Sequence, residues 1–180
     1  MASRPEHSIA VRAATGADGG ACAAIYAPYV RETAITFELQ PPTGAQMAER
    51  IAASAERHAW LVAERAGTVI GYAYGGRFAA RPAYRFSCEV SIYVDGEARG
   101  AGAGRALYTA LFERLAERGY RTAAAGMTLP NEASAALHRA MGFEQIGVFR
   151  RIGYKLGRWH DVAWLQRTLA EGPDPPAEPH

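Results

Sequence analysis

The chain has 180 residues, 49% of them hydrophobic and 21% charged, and a formal net charge of +2. This length favours a single domain with a sizeable core, and the small net charge gives no reason to expect a nucleic-acid partner. No stretch is apolar over the length of a membrane span, and residues 1–8 lack the apolar core of a signal peptide. We therefore expect no membrane partner and a cytoplasmic location. Cys22 and Cys88 have neither a metal-binding nor a redox spacing, which predicts free thiols and no metal site.

Strands and helices are mixed along the sequence, between two ends without clear patterning. Residues 1–8 are predicted to be a flexible arm, residues 9–169 a single domain, and the proline-rich residues 170–180 a disordered tail. Strands are predicted over residues 8–14, 59–64, 68–75, 86–94, 121–129, 143–155 and 161–169, and residues 33–39 are predicted to be extended. This mixture, which includes hairpins, predicts an α/β or α+β fold with a mixed sheet.

The predicted helices are marked by their caps. Asp18 is a candidate cap for the first helix, which Pro28 should kink or end. Thr43 and Gln46 form a capping-box pair for the second helix. A glycine-rich loop opens the third helix, and Asn131 caps the fourth.

The glycine-rich loop carries the strongest chemical signal. Strand formers end at Val94, and the loop Arg99-Gly100-Ala101-Gly102-Ala103-Gly104-Arg105 leads into a helix with one apolar face. Such a loop leaves backbone N–H groups without partners at the positive end of the helix dipole. The arrangement favours an anion such as a pyrophosphate, and Arg99 and Arg105 add positive charge.

The spacing of the loop excludes two common phosphate-binding patterns. The dinucleotide pattern G-x-G-x-x-G fails because Arg105 lies where the third glycine is required, and the Gly-Lys-Ser/Thr of the ATP loop is absent. The remaining pattern, Arg-x-x-Gly-x-Gly, resembles the coenzyme A pyrophosphate loop of the GCN5-related N-acetyltransferases (GNAT superfamily). The resemblance implies a GNAT fold, with a mixed, mostly antiparallel central sheet flanked by helices, and acetyl-CoA as cosubstrate.

Further segments resemble the phosphinothricin and methionine sulfoximine N-acetyltransferases of that superfamily. They are Ile25-Tyr26-Ala27-Pro28-Tyr29-Val30 with Thr36-Phe37-Glu38, Glu89-Val90-Ser91-Ile92-Tyr93-Val94, Leu129-Pro130-Asn131 with Ser134 and Leu137-His138, Gly142-Phe143, and Gly153-Tyr154-Lys155-Leu156-Gly157-Arg158-Trp159-His160-Asp161-Val162 with Trp164 and Gln166. The resemblance spans about residues 9–169. It implies acetyl transfer to the α-amino group of a small amino acid or analogue of the phosphinothricin, methionine sulfoximine or methionine sulfone type, by a homodimer.

The resemblance also indicates a catalytic base. An ammonium ion is not a nucleophile, so the amine must lose a proton, and Glu89 is the candidate that removes it directly or through a water. Glu38 and Glu64 are rival carboxylates. The neighbouring Cys88 should point to the other face of its strand and be structural, so we expect no acyl-enzyme.

By the same resemblance, backbone groups of Ile92, Tyr93 and Val94 are expected to pair with the pantetheine arm, and a nearby N–H to polarise the thioester oxygen. Asn131 is expected to contact that arm, although its role as a helix cap explains the residue equally well. His138 lies where many members of the superfamily have a tyrosine acid. It is expected to donate a proton, assist the base or hydrogen-bond near the sulfur, and simple packing in its helix is the alternative.

The acceptor residues are expected on three loops. Phe37 resembles the aromatic residue of the family's pocket, and Arg81 and Tyr84 resemble the pair that holds the amino acid. A guanidinium binds a carboxylate or phosphinate through two parallel hydrogen bonds. Arg77 or Arg85 could replace Arg81 in this role.

Two other functions stay open. The first is an acetyltransferase for a different amine, such as a protein N-terminus, a polyamine or an aminoglycoside. The second is a module that binds acyl-CoA without catalysis, against which the presence of Glu89 argues.

Overall fold

The computed structural model of the chain describes residues 8–174 and 176–180, so residues 1–7 of the predicted arm lie outside it. Within the described residues, strands β1–β7 are Ile9–Ala13, Trp60–Arg65, Thr68–Arg77, Ser87–Val94, Thr122–Thr128, Glu144–Lys155 and Arg158–Thr168, and helices α1–α4 are Gly19–Glu32, Gly44–Arg57, Ala103–Glu117 and Glu132–Ala140. Each strand that the alternation of apolar residues predicts is present. None of the helices in this part of the chain combines the length and apolar character needed to cross a bilayer.

All seven strands belong to one sheet in the order β1-β2-β3-β4-β5-β7-β6. Neighbouring strands are antiparallel, except that β4 and β5 are parallel and are connected through α3. A parallel pair needs such a crossover, because its strands begin at the same end of the sheet. The predicted mixed, mostly antiparallel sheet flanked by helices is confirmed.

Both faces of the sheet are covered by helices. On one face the apolar residues of α3 pack on the sheet together with Cys88 and Val90 of β4, and this cluster includes Leu107, Tyr108, Leu111 and Leu115. On the other face α1 and α2 form a second cluster, which includes Ile25, Tyr26, Met47 and Ile51 with Trp60, Val62 and Tyr72 of the sheet. Alternate residues of β4 thus contribute to opposite layers, as the pleat of a strand requires.

Of the two predicted effects of Pro28, a kink or an end of the first helix, the end does not occur. Helix α1 continues past it to Glu32. Proline removes the hydrogen bond to the carbonyl four residues earlier, which belongs to Ala24. Both residues are exposed, so the released carbonyl is open to water. The helix continues because its other face is held in the apolar layer described above.

Residues 33–39 form a bent loop instead of the predicted extended segment. The Thr33 hydroxyl donates to the Tyr29 carbonyl at 2.7 Å and accepts the Ile35 N–H at 3.2 Å, and the Thr36 hydroxyl accepts the Glu38 N–H at 3.2 Å. These side chains satisfy the backbone locally, so the segment turns without joining the sheet.

The predicted helix caps are present with one difference. Thr43 and Gln46 form both bonds of the capping box, and the Asn131 side chain accepts the Ser134 N–H at 3.1 Å. Asp18 lies at the N-cap position of α1, but its carboxylate accepts hydrogen bonds from Arg12 instead of from the first turn of the helix. The charge of the guanidinium explains this choice of partner.

The C-terminal residues 170–174 and 176–180 form no helix or strand. Glu178 forms an ion pair with Arg85 at 2.7 Å, and the His180 N–H donates to the Arg118 carbonyl at 3.0 Å. Exposed contacts of this kind contribute little stability. The disorder of this tail stays a prediction.

His58 is a buried histidine at the end of α2. Its ring stacks on Tyr120 at 5.0 Å between centroids, and burial lowers the pKa of the imidazole. At low pH the unfolded chain therefore binds a proton at this residue more readily than the folded chain does.

We expect the free energy of unfolding to fall as the pH drops below about 6.5, the pKa of an exposed histidine, by up to about 1.4 kcal/mol per pH unit for one proton. His58→Gln should reduce this dependence, whereas His180→Gln at the exposed C-terminus should not. Urea unfolding of the three proteins between pH 7.5 and 5.5 measures it. Equal slopes for the wild type and His58→Gln would contradict the assignment.

Candidate active site

The candidate site begins where β4 and β5 separate. Their parallel pairing covers only three residue pairs, from Ser87–Thr122 to Glu89–Ala124. Beyond it, a cavity of about 50 Å³ is lined by Val90, Ser91, Ile92 and Tyr93 of β4 and by Ala125, Gly126, Met127 and Thr128 of β5. Consecutive strand residues point to opposite faces, so a gap lined by all of them connects the two faces of the sheet.

The edge of β4 offers backbone groups to this gap. The Asp95 N–H donates to the Ile70 carbonyl of β3 at 2.9 Å. Because backbone groups alternate between the two edges of a strand, those of Ile92 and Val94 point toward the gap, and those of Tyr93 point toward β3. Tyr93 is among the residues that line the small cavity, and its role in binding the pantetheine arm stays a prediction.

A larger cleft of about 420 Å³ continues from the gap along the start of α3. Of the residues predicted to bind the cofactor, its lining contains Ile92, Val94, Arg99, Gly100, Gly102, Ala103, Gly104, Arg105 and Asn131. The cleft shares Ile35, Ile92, Asn131 and Ser134 with the small cavity, so the two adjoin. Ala101 lies outside the lining, and its N–H donates to the Ala98 carbonyl at 3.4 Å.

The start of α3 is shaped by two glycines. Gly102, the N-cap, has a φ of +89°, a conformation that residues with a Cβ rarely adopt. A Cβ at Gly104 would lie 3.0 Å from the Leu137 side chain of α4, so glycine allows the two helices to approach. The first N–H of α3 to reach a helical carbonyl is that of Ala106, which bonds Gly102. The earlier N–H groups remain for an anion in the cleft.

His138 is buried between α3 and α4. Its Nδ1 lies 2.8 Å from the Ser134 carbonyl and its Nε2 lies 3.1 Å from the Tyr108 hydroxyl. A carbonyl only accepts, so Nδ1 carries the proton and Nε2 accepts the hydrogen bond from Tyr108. Burial lowers the pKa of His138, which favours the neutral imidazole. Both nitrogens are thus engaged, and Tyr108, which sequence reasoning missed, faces the small cavity beside it.

Glu89 lies on the same face of β4 as Ser91, which lines the small cavity. Its strand neighbours are Gly76 and Ala124, two small residues that leave room around the carboxylate. Within the described chain no hydrogen bond or ion pair engages this carboxylate, and burial raises its pKa. Glu89 itself lies outside the lining of both cavities. It is two residues before Ser91 on the same face of β4, next to the small cavity.

The rival carboxylates are already paired. Glu38 forms an ion pair with Arg50 at 2.7 Å and accepts the Tyr26 hydroxyl at 3.1 Å. Glu64 forms an ion pair with Arg12 at 2.6 Å. Glu89 is therefore the most available of the three predicted bases.

The loop that carries Phe37 is tied to β6. The Lys155 ammonium, in a side chain only 5% exposed, donates to the Thr36 carbonyl at 2.7 Å. A Cβ at Gly153 would overlap the Phe37 ring, so glycine lets this ring lie directly on β6. Ile35 of the same loop lines both cavities. The Lys155 ammonium therefore holds the loop of Phe37 against β6.

Arg81 and Tyr84 flank this face from the loop after β3. Tyr84 packs on Phe78 at 5.5 Å between centroids, and Phe78 packs on Trp164 at 6.1 Å. Trp164 lies opposite Gly126, which lines the small cavity. Phe37, Arg81 and Tyr84 are exposed and lie outside both cavity linings, so the structure places them near this face without closing a pocket.

The alternative arginines have other partners. Arg77 donates to the Ala79 carbonyl at 2.8 Å, and Arg85 is paired with Glu178. Over the described part of the chain, no side-chain hydrogen bond or ion pair engages Arg81, which leaves its guanidinium available.

Two further observations bear on the chemistry. Cys88 is fully buried, and burial raises its pKa to about 12, so this thiol is neither accessible nor ionised at neutral pH. Within residues 8–174 and 176–180, no group of three or more metal-ligating side chains is present.

The chain matches a family model described as "Acetyltransferase (GNAT) domain" over residues 11–164. It is 37% identical over 168 residues to phosphinothricin N-acetyltransferase from Streptomyces viridochromogenes, covering 93% of this chain and 91% of the relative. It is 38% identical over 109 residues to an L-methionine sulfoximine/L-methionine sulfone acetyltransferase from Pseudomonas aeruginosa, covering 61% of this chain and 63% of the relative.

A crystal structure of a phosphinothricin acetyltransferase from Sinorhizobium meliloti in complex with acetyl-CoA has the same fold. It superposes with a TM-score of 0.88 at 40% identity and covers 96% of this chain and 93% of that one. The extent of these matches shows that this chain belongs to the GNAT acetyltransferase family, as an N-acetyltransferase. The glycine-rich loop, the cleft and the separation of β4 and β5 agree with this assignment.

Proposed function

We propose that the protein transfers the acetyl group of acetyl-CoA to the α-amino group of a small amino acid or analogue. The observation that carries the proposal is the gap between β4 and β5, which joins the cleft of the glycine loop to the opposite face of the sheet, where Glu89 lies. The donor and the acceptor thus reach the gap from different faces. This arrangement suits direct attack of the amine on the thioester.

The cleft offers a set of contacts matched to coenzyme A. The open N–H groups at the start of α3 and the side chains of Arg99 and Arg105 suit the pyrophosphate. The backbone groups of Ile92 and the N–H of Val94 suit the amides of the pantetheine arm. Asn131 lines both cavities and lies where that arm would enter the gap. An N–H of this edge would stabilise the oxyanion as the tetrahedral intermediate forms.

Glu89 would act as the general base. Its raised pKa makes the carboxylate a better proton acceptor than an exposed glutamate, and it lacks a competing cation within the described chain. As it removes the proton from the amine, the C–N bond forms and the C–S bond then breaks. The coenzyme A thiolate takes up a proton, so the reaction yields the amide and the free thiol.

Tyr108 and His138 would stabilise the leaving thiolate. Burial raises the pKa of Tyr108, so its hydroxyl stays protonated and is a hydrogen-bond donor at every ordinary pH. His138 is neutral and its Nδ1 proton is held by Ser134, which makes it a poor proton source. Of the roles considered for His138, we therefore favour a hydrogen bond near the sulfur. Its Nε2 accepts the single Tyr108 proton, and this proton would turn to the thiolate as the C–S bond breaks.

The acceptor is proposed to be an amino acid with an anionic or tetrahedral side-chain centre. Relatives that match most of this chain are named for phosphinothricin, and a partial match is named for methionine sulfoximine and sulfone. Arg81 would bind the carboxylate, with Tyr84 and Phe37 beside it. The cytoplasmic location stays a prediction.

The direct test is thiol release from acetyl-CoA with a panel of amines: phosphinothricin, methionine sulfoximine, methionine sulfone, common amino acids, spermidine and an aminoglycoside. We expect turnover with the glutamate-like analogues. Turnover with other amines alone would support acetyl transfer and contradict the proposed amino-acid acceptor. Acetyl-CoA binding without turnover of any amine would favour the non-catalytic module.

Glu89→Gln should bind acetyl-CoA as the wild type does and lower kcat by about 10²- to 10⁴-fold, because it removes the base and preserves the shape of the side chain. In the wild type, kcat/KM should decline at acidic pH as Glu89 takes up a proton, at a pH above the usual titration range of a glutamate, and this limb should be absent from the residual activity of the variant.

Glu64→Gln, on strand β2 of the same sheet and paired with Arg12, is the matched control and should keep full activity. Activity of Glu89→Gln close to that of the wild type at neutral pH would eliminate this residue as the base.

We infer that the protein is a homodimer formed through β6, the edge strand of the sheet. Ile146, Phe149 and Ile152 are 61%, 53% and 56% exposed. The same strand, the turn that follows it and the start of β7 also expose Val148, Tyr154, Leu156 and Trp159. A long apolar edge of this kind invites pairing, and a second copy covers it in a closed, two-fold assembly.

Analytical ultracentrifugation should therefore give about twice the chain mass of 19.4 kDa. Ile146→Asp places a charge on the exposed edge and should shift the protein to the monomer, whereas Ala53→Asp on the exposed face of α2 should not. A monomeric wild type at micromolar concentration would overturn the inference.

A further inference from the structure

Tyr29 of α1 connects two parts of the cofactor cleft. Its hydroxyl donates to the Val94 carbonyl at the end of β4 at 2.5 Å. The same oxygen accepts a hydrogen bond from Nη2 of Arg99 at 3.2 Å, and the guanidinium carbon lies 5.5 Å from the centre of the tyrosine ring. A single phenol thus contacts both the backbone edge of β4 and the first side chain of the glycine loop.

The tyrosine ring is itself held firmly. It is 9% exposed, and its edge meets the Tyr93 ring at 5.2 Å between centroids. The Thr33 hydroxyl donates a hydrogen bond to the backbone carbonyl of Tyr29 at 2.7 Å, which fixes the end of helix α1. The hydroxyl therefore presents a fixed acceptor to Arg99, whose own backbone lies in an exposed loop.

Fixing Arg99 matters because the long arginine side chain loses rotamer entropy when it is immobilised. The contact with Tyr29 restrains the guanidinium before the ligand arrives, so less of this cost falls on binding. The contact uses one N–H, and an arginine has five. The remaining donors face a cleft in which the open N–H groups of α3 also favour an anion.

We propose that Tyr29 is a positioning residue that orients Arg99 toward the phosphate groups of coenzyme A. The proposal rests on the proposed function, because it assigns the cleft to that cosubstrate. Tyr29 affects the binding of the coenzyme A phosphates through Arg99 and makes no contact with the amine substrate in this proposal. The loss caused by removing its hydroxyl should therefore depend on whether the ligand carries phosphates.

The test compares two ligands, coenzyme A and pantetheine, which lacks the nucleotide and all the phosphates. Tyr29→Phe keeps the ring and removes the hydroxyl. We expect its Kd for coenzyme A to rise about 5- to 20-fold, a part of the entropy cost of ordering an arginine side chain, with the Kd for pantetheine unchanged. Calorimetry measures the first Kd and NMR titration the second, weaker one.

A double-mutant cycle identifies the route of the effect. If Tyr29 acts through Arg99, Tyr29→Phe should cause little further loss of coenzyme A affinity once Arg99→Met is present. The matched control is Tyr26→Phe on the same helix, which removes a buried hydroxyl that bonds Thr36 and Glu38 instead of Arg99. The control should leave the affinity for both ligands unchanged.

Equal losses for both ligands, additive effects in the cycle or an unchanged Kd for coenzyme A would each overturn the role of Tyr29. A wild-type chain that fails to bind coenzyme A would overturn this role and the proposed function together. Normal coenzyme A binding without amine turnover would count against the proposed function alone, and the ligand comparison would still decide the role of Tyr29.

Discussion

The short parallel pairing of β4 and β5 is the constraint on which the rest of the site depends. A buried backbone N–H or C=O group needs a partner, and beyond Glu89 and Ala124 the two strands no longer supply one to each other. The Tyr29 hydroxyl satisfies one such group, the carbonyl of Val94. The backbone N–H and C=O groups of Ile92 remain for a ligand with amides of its own. Such a ligand would extend the hydrogen bonding of β4 where β5 does not pair with it.

The two faces of the sheet at this separation carry different groups. Cys88 and Val90 are committed to the core under α3, and this alternation directs Glu89 and Ser91 to the opposite face. The start of α3, on the first face, provides the open N–H groups for phosphates. The proposed base and the proposed anion site lie on one strand–loop–helix segment and are kept apart by the pleat of β4, and their ligands would meet at the gap.

Those features that depend on local sequence could be predicted, including the strands, the capping box at Thr43 and the glycine loop. Features that depend on distant contacts could not. Tyr108 and His138 are 30 residues apart, and Lys155 and Thr36 are 119 apart, so no spacing in the sequence relates them. Pro28 shows the opposite case, in which a strong local signal to end a helix is outweighed by the packing of the other face of α1.

Lys155 shows how the acceptor side is held together. Burying an ammonium is costly unless its hydrogens find acceptors, and its bond to the Thr36 carbonyl offsets part of that cost only while the loop of Phe37 stays on β6. The loop and the strand are therefore stable together. Since β6 is also the apolar edge of the proposed dimer, a partner that covers this strand would restrain the loop through Lys155 and through the ring of Phe37 against Gly153. In such an assembly the proposed acceptor residue Phe37 and the subunit contact would depend on one strand.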